Sequence, residues 1–214
     1  MLDYLREYVK ENIKIISVLF LCISIGLVVG LIVYKFIPNE SKVELINTLK
    51  NTLEYTKQDN FSGINVIKNG VISNSILIAI IYLSAITLIA PGIVCIMNFV
   101  KGFAIGLYIP TLFYVFGFGH GILVLLLLVV IPNLVYLPAY IYLSINSLKF
   151  HYSLINSENE SKIGLTIKEV GKLTLGFSVI ILSVIIEQLL SAGVIKIYIN
   201  MWNKVKFLAK NIVN

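Results

Sequence analysis

Charge is what this chain lacks most. Between Lys68 and Lys149 it runs for eighty residues with a single charged side chain, Lys101. That excludes an ordinary soluble core, because roughly 20 apolar residues already suffice to cross a bilayer as a helix. Cysteine and histidine are nearly absent: Cys22, Cys95, His120 and His151 are all there are. Both cysteines fall inside apolar stretches, where a thiol serves as a small packing group and neither a disulfide framework nor a metal site is expected. Arginine is reduced to Arg6, and the lysines are scattered among segment ends. The net charge of +6 therefore reads as membrane flanks, not as a nucleic-acid surface. No Ser-His-Asp set, paired aqueous carboxylates, His-Glu-x-x-His run or phosphate-cradling glycine loop occurs, so the expectation is no enzyme, no metal and no cofactor.

What is abundant is apolar: 58% of residues are hydrophobic against 13% charged, with a mean hydropathy of +0.92. The expected fold is all-α, a polytopic integral membrane protein of about five transmembrane helices with kinked or broken segments plus amphipathic extramembrane helices. Residues 15–34 form the first crossing, with no small-residue cleavage pattern behind it, so it reads as an anchor. An extracytoplasmic loop over 35–72 follows. In it Ser41 and Glu44 form a capping box, and Val43, Ile46, Leu49 and Leu53 recur at helical spacing, predicting an amphipathic helix over 42–57. Its apolar face suits packing on the membrane domain. Its other face, with Glu44, Lys50, Asn51 and Lys57, suits a partner.

Pro91-Gly92, the glycine-rich Gly117-Phe118-Gly119-His120-Gly121 and Pro132-Asn133 divide residues 73–149 into three segments, near 73–90, 93–116 and 121–149. Pro91 as a mere kink is the alternative, and it makes Lys101 an interfacial anchor. A polar loop over 150–172 precedes the last crossing, 173–195, which Thr166 and Glu169 cap. Residues 196–214 read as a basic amphipathic tail in the headgroup region.

Two ionisable residues interrupt the apolar segments, Lys101 and Glu187. Lys101 is expected to snorkel toward an interface. Glu187 must face the protein interior, bonded to Asn98, Asn133 or Tyr136 or paired with Lys101, first as structural glue and otherwise as an ion pathway or partner contact. Gly26 with Gly30, and Gly102 with Gly106, are G-x-x-x-G pairs that suit packing within the chain before a homodimer contact. Pro132 and Pro138 mark a helix break or bend. With a cytoplasmic N-terminus, eight basic residues fall inside and nine outside, which leaves orientation open. A sixth crossing or a re-entrant break at Pro132 would bring the tail inside.

The order of these motifs resembles the stage II sporulation protein M family. The likeness rests on the N-terminal anchor and short polar loop, Ala90-Pro91-Gly92, and Phe99-Val100-Lys101-Gly102-Phe103-Ala104-Ile105-Gly106. It continues through Pro132-Asn133-Leu134-Val135-Tyr136-Leu137-Pro138-Ala139 to Glu187. A glutamine often found between the proline and asparagine of that last motif is missing here. The resemblance implies a non-enzymatic membrane scaffold for forespore engulfment. It would sit in the mother-cell or septal membrane and recruit the peptidoglycan-degrading stage II sporulation proteins P and D, with residues 41–57 or the tail as docking elements. A small transporter or channel with a site near Glu187 and the Pro132-Asn133 break is the competing class.

Overall fold

The structure is a computed structural model and describes residues 2–55, 63–156 and 170–186. Among the described residues it is helical with no strand. The elements are α1 (Leu2–Phe36), α2 (Asn39–Tyr55), α3 (Gly63–Ser84), α4 (Ala90–Leu125), a π turn (Leu126–Val130), α5 (Ile131–Asn156) and α6 (Val170–Ile186). Two stretches, Arg6–Phe36 and Ala90–Ile155, are long and apolar enough to cross a membrane.

The second of these stretches doubles back on itself. Gly117 takes φ 70° and ψ 172°, a left-handed conformation that side chains resist, so the chain turns there. Across the turn a Cβ on Gly121 would touch the Phe113 ring; along a straight helix those residues would stand about 12 Å apart. The pairs continue down both legs, Lys101 with Tyr136, Met97 with Tyr140 and Asn98 with Ser144. The result is an antiparallel helical hairpin.

Pro91 lies in the first turn of α4, where its missing N–H costs nothing, so it starts that helix and does not kink it. Pro132 behaves differently from expectation: it does not break the helix. Leu126–Val130, one residue before it, widen into a π turn, with the Ile131 N–H bonded to the Leu126 carbonyl. Widening moves the preceding carbonyls away from the proline ring, and Asn133 Nδ2 donates to the Val129 carbonyl at 2.7 Å, giving that oxygen a second donor next to the site where Pro132 supplies none. Pro138 lies inside α5, which also continues through it.

α1 and the first leg of the hairpin run parallel. Gly26 abuts the Phe99 carbonyl and Gly102 that of Ile23; Gly30 abuts the Phe103 carbonyl and Gly106 that of Leu27. Both contact pairs advance in the same direction along both helices, and both glycine motifs meet each other inside one chain. α3 returns antiparallel to α4 through the turn 85–89, with Asn74 beside Lys101. α5 is the central helix at its lower half: six consecutive residues, Leu143 to Leu148, are all buried. Its neighbours close the core with Ile78 and Ile81 of α3, Leu19 of α1 and Ile180 and Val184 of α6. Outward faces carry apolar side chains such as Val18, Phe20, Leu21 and Ile25 of α1, as a helix facing lipid requires.

α2 starts at Asn39, two residues before the Ser41-x-x-Glu44 box. Pro38 presets the helical φ and its carbonyl takes the Lys42 N–H at 3.1 Å, so Ser41 is already inside the helix and caps nothing at its start. Ile46 and Leu49 are buried, while Val43, placed on the apolar face by spacing, is half exposed at 52%. Leu49 packs with Leu112, Val124 and Val129 of the hairpin. The apolar side of α2 thus covers the hairpin near its Gly117 end.

Candidate functional site

The buried face of α4 carries Ala90, Val94, Asn98 and Lys101 in helical register, and this face turns toward α3 and α5. Lys101 is 9% exposed. It lies about 16 Å along the helix from Ala90 at 1.5 Å per residue. Where snorkelling is the expectation, the ammonium is held inside the bundle. Nζ sits 4.0 Å from the centroid of the Tyr136 ring and 3.4 Å from Asn74 Oδ1. An ammonium at bilayer centre costs roughly 2.5–3.5 kcal/mol on insertion scales. A desolvated cation–π contact returns about 2 kcal/mol, and a hydrogen bond to a charged group about 1.5 kcal/mol at least. The two together offset the cost.

A polar seam continues from Lys101 toward the N-terminal end of α1. Tyr136 is fully buried and stacks on Tyr140, centroids 5.5 Å apart; the Tyr140 hydroxyl donates to the Met97 carbonyl at 3.1 Å. Asn98 Nδ2 donates to the Val94 carbonyl at 2.8 Å and to Ser144 Oγ at 3.1 Å, and Ser144 donates to the Tyr140 carbonyl at 3.0 Å. Ser147 reaches across to the Ile81 carbonyl of α3 at 2.9 Å. Asn98 Oδ1, Asn133 Oδ1 and Asn146 Nδ2 are buried without a hydrogen-bond partner among the described residues. Small hydroxyls and amides bonding across helices are what membrane bundles use as polar glue.

The sequence-derived site residues separate into three places. Lys101 and Asn98 are in this seam, with Asn133 one turn before Tyr136 on the same helix. Gly26, Gly30, Gly102 and Gly106 form the α1–α4 contact. Glu44 lies on the exposed side of α2, its carbonyl accepting from Thr48 Oγ1 at 2.9 Å; Lys50 and Asn51 belong to the same helix. Lys57, Glu187, the Thr166–Glu169 box and the tail 196–214 lie outside the described residues. Asn74, Tyr140, Ser144 and Ser147 were not singled out by sequence reasoning. Each sits among other polar residues (Ser73-Asn74-Ser75, and Ser144-Ile145-Asn146-Ser147) or aromatic ones (Tyr136, Tyr140, Tyr142), and only α4's charged position shows which of them would be drawn inward. Among the described residues no group of three or more His, Cys, Asp or Glu could hold a metal.

At the basal end, where α1 begins, Lys149 Nζ lies 5.3 Å over the Tyr8 ring, and Arg6, Lys10 and Lys14 are exposed. An apolar-faced helical bundle with a charged end, where the exposed Asp3, Glu7 and Glu11 stand among these cations, a polar seam inside and a short polar helix folded over its far end defines the class: a helical membrane protein.

Within that class the chain belongs to the family described as Stage II sporulation protein M, whose model matches residues 16–199. No curated protein and no solved structure matches it. Family membership makes this a sporulation-related membrane protein.

Proposed function

We propose that the protein is a non-enzymatic, multi-pass scaffold of the engulfing membrane that recruits peptidoglycan-degrading enzymes, the stage II sporulation proteins P and D. α1, α3, the two hairpin legs and α6 supply five crossings, with α2 and the Gly117 turn outside. The observation that carries this reading is α2. Its apolar side is fixed on the hairpin through Leu49, which leaves Glu44 and Asn47 exposed on an ordered extramembrane helix. A docking element gains from a polar surface held in place by packing on its other side, since less ordering is left to be done on binding.

Pull-down from sporulating cells tests it. Glu44→Lys should abolish retrieval of the two wall enzymes at unchanged protein abundance; unchanged retrieval removes α2 from the docking role. A transport function is the second reading, favoured by the buried Lys101 and by the π turn, since such turns recur at functional sites. For that reading Glu187→Gln should stop flux in proteoliposomes without altering folding, and flux that persists rules the site out.

A further inference from the structure

The α1–α4 contact places the chain's only two thiols together. Parallel glycine-zipped helices keep their register, so one turn before the Gly26–Phe99 contact brings residues 22 and 95 face to face. Both thiols are free and half-buried, on the faces that the two helices turn toward each other. Ordinary helix pairs stand roughly 8–10 Å apart axis to axis, whereas a disulfide needs Cα atoms roughly 4.4–6.8 Å apart. Only an interface without Cβ atoms brings two helices that close, and Gly26 and Gly102 provide it here.

We infer that Cys22 and Cys95 are an oxidisable dithiol pair, a modification site that closes to an intrachain disulfide and clamps α1 to α4. The oxidant is a lipid-soluble quinone, which reaches half-exposed thiols within the bilayer. In the step both S–H bonds break and one S–S bond forms. The two sulfurs give up two electrons and two protons, and the quinone takes them to become a hydroquinone. The alternative role, two small side chains filling a close contact, involves no such chemistry and separates cleanly by experiment.

The test uses the full chain in lipid nanodiscs, treated with decylubiquinone and then labelled with a maleimide polymer after denaturation. Both thiols should lose labelling together and the chain should still run as a monomer. Dithiothreitol should restore both labels. Cys22→Ser should leave Cys95 fully labelled after the same treatment, and Cys95→Ala should do the converse. If labelling is unchanged by the quinone, the inference falls, whatever diamide does in parallel. It falls equally if the cross-link joins two chains.

Discussion

Two contacts of α4 hold this bundle, and they are built on opposite principles. Toward α1 the helix offers Gly102 and Gly106, and the contact exists because nothing stands between the backbones: each added Cβ would meet a carbonyl of the other helix. Toward α3 and α5 the same helix offers Asn98 and Lys101, and that contact exists because the Asn98 Nδ2 meets Ser144 and the Lys101 ammonium meets Asn74 and Tyr136. In lipid there is no general hydrophobic force to press helices together. The first contact therefore depends on shape and tolerates no addition. The second depends on complementarity and tolerates any change that keeps the partners matched.

Gly102→Leu breaks the first contact and should have the largest effect. The backbone of Ile23 cannot yield as a side chain tip would, so a loss on the order of 4 kcal/mol is expected, read as loss of monodisperse protein in size-exclusion chromatography. A monodisperse, normally stable Gly102→Leu protein would disprove the parallel glycine packing. Tyr136→Leu strikes the second contact by taking the ring from beneath the ammonium. It should cost about 2 kcal/mol in thermal or denaturant unfolding. Tyr136→Phe keeps the ring face and should cost well under half as much, which separates the ring's role from that of the hydroxyl. Ser144→Ala removes one acceptor from Asn98 and should cost about 1 kcal/mol. Glu44→Lys touches neither contact and should leave stability within about 0.5 kcal/mol, so a change in recruitment there cannot be blamed on folding.

Each principle is legible in sequence to a different degree. Spacing of four announces a glycine face on α1 and on α4, and Gly117 within its glycine cluster announces a turn, because both are local properties of the chain. Complementarity is not local. Nothing near Lys101 says that Asn74, twenty-seven residues earlier, and Tyr136 will enclose it, and without them a snorkelling lysine is the cheaper solution. Pro132 misleads for a related reason: a proline forbids one hydrogen bond, but the π turn Leu126–Val130 absorbs the defect and the helix continues. At α2 two local signals compete, and Pro38-Asn39 starts the helix before the Ser41 box can act. Glu187 is the remaining charge that sequence places in the membrane. It lies one residue past α6, outside the described residues.

In the proposed scaffold the outward side of α2, held by its inward side, meets the wall enzymes. The most direct measurement is site-specific photo-crosslinking in sporulating cells, with a photoreactive residue at position 44 or at position 49. Adducts with the peptidoglycan-degrading proteins are expected from position 44, and only intrachain adducts from position 49. Wall-enzyme adducts absent from position 44, or equally abundant from both positions, would contradict the proposed scaffold.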